Sequence, residues 1–244
     1  VPIPIPRKGS KYLSSSKMRN TRSAILILSI SIAMGAYAQQ KVMYKSFPHY
    51  NERVTEFEKM RPIDSTDVVM LGNSLTELGG NWNKLLNGKH IRNRGIAGDD
   101  TAGIMGRLIQ VLPGKPKKLF LMVGINDLSH NLQPEQVVEL CRQMIEKIRH
   151  EAPETKLYVQ SLLPINESFN RWKTLEGKTD DVARINRALR IYCATKGIIY
   201  INLFAKFVRH GTNEMRKELT VDGLHLTPFG YKVWAFELRK YVME

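Results

Sequence analysis

Short apolar stretches alternate with amphipathic helical patterns along most of this chain, and this alternation limits the folds open to it. The apolar stretches lack the polar-apolar alternation of half-exposed strands, which is typical of parallel strands buried on both faces. We predict strands at residues 68–71, 91–95, 119–123, 156–163 and 198–204. Because helical patterns lie between them, the sequence predicts repeated βαβ units and a three-layer α/β/α domain with a five-stranded parallel sheet.

Amphipathic patterns predict the helices that connect these strands. They cover residues 50–60, 101–111, 134–150, 180–195 and 227–241. The third and the fifth of these helices each have a proline in the first turn, which supports the predicted start of both helices. Gly79-Gly80 interrupts the mixed segment 75–86, and residues 165–179 are predicted as a long loop. Neither a dinucleotide-binding fingerprint nor a Walker-type phosphate loop follows the first strand.

The first 38 residues differ in composition from the rest. Residues 1–17 hold three prolines, three consecutive serines and no apolar period, which is typical of a disordered segment or of a start placed upstream of Met18. Two arginines, the apolar run 24–34 and a small-residue site at 36–38 then follow the layout of a secretory signal peptide. We therefore expect residues 18–38 to be removed and a domain of residues 39–244 to be exported to the periplasm or beyond. The apolar run is shorter than the roughly 20 residues of a membrane span, so we expect no stable membrane anchor, with an uncleaved anchor as the alternative.

Charge and cysteine content exclude several classes of function. The formal net charge is +14, but residues 1–38 contribute six basic residues and no acids, so about +8 remains on the rest, without the lysine and arginine block of a nucleic-acid-binding protein. Cys141 and Cys193 lie in helical patterns without the neighbours of a nucleophile, and we expect buried free thiols rather than a disulfide. No spacing typical of a metal site occurs.

A serine stands where a parallel sheet presents its ligands. Ser74 follows the first predicted strand across Gly72, beyond the carboxyl end at which open α/β sheets bind ligands. A serine hydroxyl is a weak nucleophile until a base takes its proton, and His225 is the candidate base. Asp222, three residues earlier across a glycine, can bend back to hold the second imidazole nitrogen. We therefore predict Ser74, His225 and Asp222 as nucleophile, base and orienting acid.

The segments after the second and third strands offer donors for an oxyanion. We predict that the oxyanion donors are the backbone N–H groups of Ser74 and Gly95 and the side-chain amide of Asn126. These residues follow predicted strands, and the carboxyl ends of parallel strands share one edge of the sheet. Gly95, with Gly98 nearby, lacks the Cβ that would keep the backbone away from a ligand. Each residue alone has a simpler explanation, Ser74 as a helix cap, the glycines in turns and His225 as an ordinary histidine. Their order on one sheet edge favours the catalytic interpretation.

At these positions the sequence resembles the SGNH hydrolases, also called GDSL-type lipases and esterases. The four named blocks of that superfamily match at Ser74, Gly95, Asn126 and His225, and the likeness covers residues 67–231. The resemblance implies a flavodoxin-like α/β/α fold and serine-ester hydrolysis without a metal or an organic cofactor. The usual Gly-Asp-Ser-Leu has Asn73 in place of Asp here. Because the triad acid comes from Asp222, we expect this change to alter hydrogen bonds at the turn and to leave nucleophile and base in place.

Two stretches resemble one branch of that superfamily, which includes platelet-activating-factor acetylhydrolase subunits and exported bacterial sialate and other carbohydrate O-acetylesterases. They are Gly-Asn-Ser-Leu-Thr-Glu from Gly72 and Asn-Arg-Gly-Ile-Ala-Gly-Asp from Asn93. The likeness implies a small acyl group, acetyl first of all, on a polar alcohol. Trp172 could stack on a sugar while the basic residues on either side of it pair with a carboxylate. It could also simply be the buried aromatic residue of a surface loop. The predicted substrate contacts are Glu77, Asn126, Arg171, Trp172 and Lys173.

The sequence thus predicts an exported serine esterase that removes O-acetyl groups from carbohydrate, with sialic acid favoured. The alternatives are a lysophospholipase or thioesterase for longer acyl chains, a non-catalytic glycan-binding module on the same scaffold, and a periplasmic binding or scaffold protein with a chance motif match. The polar loop 165–179 argues against a long-chain groove, and the intact nucleophile, base and acid argue against the binding module. The expected partner is a small-molecule or glycan ester, and the sequence does not indicate an oligomeric state.

Overall fold

The computed structural model describes residue 1 and residues 47–244, and a five-stranded parallel sheet forms the centre of the domain within residues 47–244. All neighbouring strands are parallel, in the spatial order β2-β1-β3-β4-β5, which is the flavodoxin-like order and confirms the predicted fold class. The strands are β1 (Val68–Gly72), β2 (Ile91–Gly95), β3 (Lys118–Met122), β4 (Lys156–Gln160) and β5 (Ile199–Ile201). The predicted leader 1–17 apart from its first residue, the predicted signal peptide 18–38 and residues 39–46 lie outside the described residues.

Helices connect the strands and cover both faces of the sheet. They are α1 (Pro48–Lys59), α2 (Ser74–Glu77), α3 (Trp82–Leu86), α4 (Thr101–Gly106), α5 (Ile125–Ser129), α6 (Pro134–Glu151), α7 (Thr179–Thr195), α8 (Phe204–Phe207) and α9 (Pro228–Met243). Because β2 lies on one side of β1 and the later strands on the other, right-handed crossovers place α3 on one face and α4, α6 and α7 on the other. Accordingly α3 packs against α9, and α6 packs against α4 and α7. No helix within residues 47–244 has the length and apolar character needed to cross a membrane.

Burial on both faces explains why β1 and β3 lack polar-apolar alternation. Every residue of β1 and β3 is buried. This includes Lys118, whose ammonium group donates to the carbonyl oxygens of Tyr241 and Val242 at the end of α9. On the same face Phe120 stacks on Tyr158, with 4.5 Å between the ring centroids. Packing of this kind holds each strand in a single register.

The register of the sheet places the carboxyl ends of three strands side by side. Gly72 at the end of β1 pairs with Gly95 of β2 on one side and with Met122 of β3 on the other. The segments that follow these strands therefore meet where the strand order reverses, and open α/β sheets bind ligands at that point.

Several element boundaries differ from the predicted ones. The fourth and fifth strands are shorter than predicted, since β4 ends at Gln160 and Phe204 already begins α8. The hydroxyl of Ser161 accepts the N–H of Phe204 at 2.8 Å and so supports the turn into that helix. The helix predicted at 101–111 ends at Gly106 and continues as two short 3-10 turns. The sequence does not predict α5 or α8, because helices of four or five residues leave no apolar period to detect.

Candidate active site

Ser74, His225 and Asp222 form a continuous hydrogen-bonded relay beyond the end of β1. The Nε2 atom of His225 lies 3.0 Å from Oγ of Ser74, although the two residues are 151 positions apart in the chain. The Nδ1 atom of the same ring lies 2.8 Å from Oδ2 of Asp222. Both distances are within the range for proton transfer between a hydroxyl and a base oriented by a carboxylate. The arrangement can therefore convert the Ser74 hydroxyl into a nucleophile.

The turn that contains Asp222 holds its carboxylate in place. Its Oδ1 atom accepts the backbone N–H groups of Leu224 and His225, at 3.0 and 2.7 Å, while Oδ2 faces the imidazole. Burial raises the pKa of this carboxyl, but the hydrogen bonds from the imidazole and from these N–H groups outweigh it and leave the pKa below its usual value. Asp222 is therefore ionised near neutral pH and can stabilise a positive charge on His225.

Ser74 begins α2, and Asn73 rather than Ser74 caps that helix. The side-chain oxygen of Asn73 accepts the N–H of Leu75 at 3.1 Å. The N–H of Ser74 donates to no group among the described residues, as is usual in a first helical turn. The buried amide nitrogen of Asn73 also lacks an acceptor there. The relay is intact with asparagine at this position.

The contacts of Gly95 do not support it as an oxyanion donor, which corrects the prediction for this residue. Its N–H already donates to the side-chain oxygen of Asn93 at 2.9 Å, and the residue is buried. A Cβ at this position would lie 2.2 Å from the backbone nitrogen of Glu77. The missing side chain therefore lets β2 pack against α2, and it does not open the backbone to a ligand.

Gly98, three residues further along, has the properties that Gly95 lacks. It is exposed, its φ of +83° lies in the region that favours glycine, and its N–H has no partner within the described part of the chain. The sequence pointed to Gly95 because that residue ends a strand. No signal in the sequence distinguishes a packing glycine from one with positive φ in the same loop.

Asn126 brings a side-chain donor from the end of β3. The residue is half-buried in the first turn of α5, and its Nδ2 atom donates to the carbonyl oxygen of Asp99 at 2.8 Å. An amide nitrogen carries two hydrogens, so one remains available for a ligand. The same contact joins the segment after β3 to the segment that contains Gly98.

The contacts of Glu77 do not support its prediction as a substrate contact. Its carboxylate accepts the N–H of Ala97, and it lies 3.1 Å from Nε2 of His49 and 3.3 Å from Nε of Arg53. Both basic partners belong to α1. Glu77 therefore holds the loop after β2 against α1 and is a structural residue of that loop.

Trp172 lies against the imidazole of His225. The ring centroids are 5.2 Å apart at an interplanar angle of 68°, and 37% of the tryptophan surface is exposed. Lys173 is exposed, and its Nζ atom lies 3.7 Å from Oε2 of Glu176. Arg171 is also exposed and has no ion-pair partner among residues 47–244. A cavity of about 20 Å³ beside Trp172 has room for little more than one water molecule. Of the predicted loop contacts, Trp172 thus reaches the site, and both basic residues flank it in the chain.

Two buried carboxyl groups belong to the segments that carry the donors. Asp127 is 1% exposed and accepts the hydroxyl of Thr101 at 2.8 Å. Burial raises the pKa of Asp127 to about 6, against the hydrogen bonds from Thr101, and nearby Asp100 raises it further. Burial likewise raises the pKa of Asp99 to about 7, against the effect of Arg107. In the described part of the chain, no three His, Cys, Asp or Glu side chains are arranged to hold a metal ion.

The chain matches the GDSL-like Lipase/Acylhydrolase family over residues 70–233. It is similar to platelet-activating factor acetylhydrolase IB subunit alpha2 of Homo sapiens, with 26% identity over 183 residues that cover 73% of this chain and 76% of that protein. It is 27% identical to subunit alpha1 of Rattus norvegicus over 170 residues, which cover 68% of this chain and 70% of that one. A GDSL-like lipase from Bacteroides thetaiotaomicron shares the fold with a TM-score of 0.70 and 19% identity, over 80% of this chain and 97% of that one. An acetyl xylan esterase shares it with a TM-score of 0.60 and 20% identity, over 72% and 99% of the two chains.

We expect Asp127→Asn to change how stability depends on pH. Folding raises the pKa of Asp127 to about 6 from an ordinary value near 4, so the folded state holds the proton more tightly than the unfolded state. The contribution of protonated Asp127 to the free energy of unfolding of the wild-type protein therefore decreases as the pH rises from about 4 to about 6. Asparagine can still accept the Thr101 hydrogen bonds but does not titrate.

Urea unfolding of both proteins across this range measures the effect. The free energy of unfolding of the wild type should fall relative to that of the variant by up to roughly 1.4 kcal/mol per pH unit between those values. Above about pH 7 the difference should be constant. Parallel curves over the whole range would contradict a raised pKa for Asp127.

Proposed function

The chain belongs to the GDSL-like Lipase/Acylhydrolase family, and we propose that it is an exported serine esterase that removes small acyl groups, acetyl first of all, from carbohydrates such as sialic acid. The observation that carries this proposal is the continuous contact from Asp222 through His225 to Oγ of Ser74. This contact supplies the nucleophile, the base and the orienting carboxylate that hydrolysis of an ester requires.

In the proposed reaction, His225 takes the proton of Ser74 while Oγ attacks the carbonyl carbon of the ester. The N–H groups of Ser74 and Gly98 and the amide of Asn126 stabilise the negative charge that develops on the carbonyl oxygen. The imidazolium then gives its proton to the departing alcohol and leaves an acyl group on Ser74. A water molecule, activated by the same imidazole, attacks that acyl-enzyme and releases the carboxylic acid.

Similar proteins support a small acyl group. Two similar proteins are acetylhydrolase subunits by name, and one solved structure with this fold is an acetyl xylan esterase by name. These observations favour acetyl over longer chains.

The loop beside the site supports a carbohydrate as the alcohol. Trp172 exposes more than a third of its surface next to His225, where its ring can stack on a sugar. Arg171 has no ion-pair partner among residues 47–244 and can pair with the carboxylate of an anionic sugar through two parallel hydrogen bonds. An anionic sugar ester such as O-acetylated sialic acid has a sugar ring for the first contact and a carboxylate for the second.

Export is proposed from the sequence of residues 18–38, which has the charged start, apolar run and small-residue site of a signal peptide. Expression in a bacterial host followed by mass spectrometry of the exported fraction tests it. A mature protein that begins at Gln39 is the expected result, and an intact leader on protein retained in the cytoplasm would contradict it.

We expect the purified protein to release acetate from O-acetylated sialic acid in preference to acetylated xylo-oligosaccharide, and also from p-nitrophenyl acetate. Ser74→Ala and His225→Ala should each abolish release and keep the fold, because neither side chain belongs to the apolar core. Arg171→Ala should raise the KM for the sialic acid ester and leave that for p-nitrophenyl acetate unchanged. Lys115→Ala, which removes an exposed basic side chain 2.9 Å from Glu154, is the control.

The other outcomes of this assay distinguish the alternative functions. Release from p-nitrophenyl acetate alone would keep the serine esterase and reject the carbohydrate substrate. A preference for long-chain p-nitrophenyl esters would indicate a lysophospholipase or thioesterase. Glycan binding without release of acetate, unchanged in Ser74→Ala, would indicate a non-catalytic binding module.

A further inference from the structure

We propose that Arg107 is a positioning residue that sets the geometry of the oxyanion donors, an inference that rests on the proposed esterase function. Arg107 follows α4 directly and is 2% exposed. Its hydrogen bonds go to backbone carbonyls and to a buried carboxylate, and none goes to a member of the relay. Its effect on the reaction must therefore pass through the segments that it holds.

The guanidinium group of Arg107 joins the end of β1 to β2 and to the loop that follows β2. Its Nη2 atom donates to the carbonyl oxygen of Gly72 at 2.9 Å, and its Nη1 atom donates to that of Arg94 at 3.0 Å. Its Nε atom donates to Oδ2 of Asp99 at 2.7 Å. A planar guanidinium can make these three bonds in different directions at once, whereas the single ammonium of a lysine cannot reproduce their geometry.

Each proposed oxyanion donor lies close to one of these three acceptors. Gly72 is two residues before Ser74 in the chain, and Asp99 comes directly after Gly98. The carbonyl oxygen of Asp99 also accepts the side-chain amide of Asn126 at 2.8 Å. One buried guanidinium thus relates the positions of all three donors to one another, although they come from three different strand ends.

The loop that contains Gly98 is held from its other side as well. The N–H of Ala97, directly before Gly98, donates to the carboxylate of Glu77. The peptide group that presents the Gly98 N–H is therefore fixed between Glu77 on one side and Arg107, through Asp99, on the other. A donor has its full effect on an oxyanion only when it is already oriented before the reaction.

A role in overall stability explains this network less well. A buried ion pair usually contributes no more to stability than well-packed apolar side chains of the same volume. The second oxygen of Asp99 also has no hydrogen-bond partner among the described residues, so the network is not fully satisfied. What it provides is a fixed relation between three strand ends.

The test compares Arg107→Met and Arg107→Lys with Arg94→Met as the matched control. Arg94 is an equally buried arginine on β2, but its guanidinium stacks on Phe57 at 4.5 Å from the ring centroid and donates to Met60. For each variant, kcat and KM are measured with p-nitrophenyl acetate, and inhibition is measured with methylboronic acid and with acetate. The boronic acid adds to Oγ of Ser74 as a tetrahedral anion and so needs the oriented donors, whereas acetate does not form that geometry.

Arg107→Met should lower kcat by about 10²-fold, close to the loss in Asn126→Ala, which removes a donor directly. Inhibition by methylboronic acid should weaken by a similar factor, while KM and inhibition by acetate change less than about threefold, because only interactions of the transition state are lost. Arg107→Lys should fall between wild type and Arg107→Met. Arg94→Met should keep kcat within about threefold of wild type.

Unchanged kcat and boronate inhibition in Arg107→Met, or an equal loss in Arg94→Met, would overturn the proposal. If Arg107→Met does not fold, Asp99→Ala removes the side chain that accepts the Nε of Arg107. It should weaken boronate inhibition more than acetate inhibition, and equal changes would overturn the proposal too. A wild-type protein that shows neither hydrolysis nor boronate inhibition would instead refute the proposed function, which is the premise of this inference.

Discussion

The parallel pairing that sets Gly72 between Gly95 and Met122 is the constraint on which the rest of the structure depends. A shift of one residue in any of these strands would turn its buried side chains to the opposite face, so the apolar packing on both faces keeps the register in place. With that register, the segments after three strands meet at one edge of the sheet. The position of the candidate site is therefore a direct consequence of how the core packs.

The groups that carry the proposed chemistry and the groups that orient them come from different parts of this edge. Ser74 and Asn126 lie in the first turns after their strands, and the segment with His225 lies just before α9. Behind them, Glu77 holds the loop that contains Gly98 through the N–H of Ala97. The structure thus combines donors that can still bind a ligand with a buried polar network that limits how they can move, as preorganised stabilisation of an oxyanion requires.

Much of this arrangement could be predicted from the sequence, and the exceptions have physical reasons. Unalternating apolar strands such as β1 and β3 predict the sheet, and the bounds of β2 agree with prediction. Ser74, His225 and Asp222 could be proposed together because the sequence shows both their residue types and their positions relative to the predicted elements of a parallel sheet. The sequence does not show whether Gly95 or Gly98 is the oxyanion donor, since the difference depends on the positive φ of Gly98 and on the hydrogen bond from Gly95 to Asn93. The contacts of Glu77 do not support it as a substrate contact, because its carboxylate contacts side chains of α1, which lie far from it in the sequence.

The central claim, that Ser74 is a nucleophile activated by His225 and Asp222, is tested most directly by covalent labelling. The purified protein is treated with a small alkyl fluorophosphonate, and the number and position of the adducts are determined by mass spectrometry of the whole protein and of its peptides. One adduct per chain on Ser74 is expected, formed much more slowly in His225→Ala and absent in Ser74→Ala. No adduct on Ser74 in a protein that still hydrolyses p-nitrophenyl acetate, or equal labelling in His225→Ala, would contradict the account.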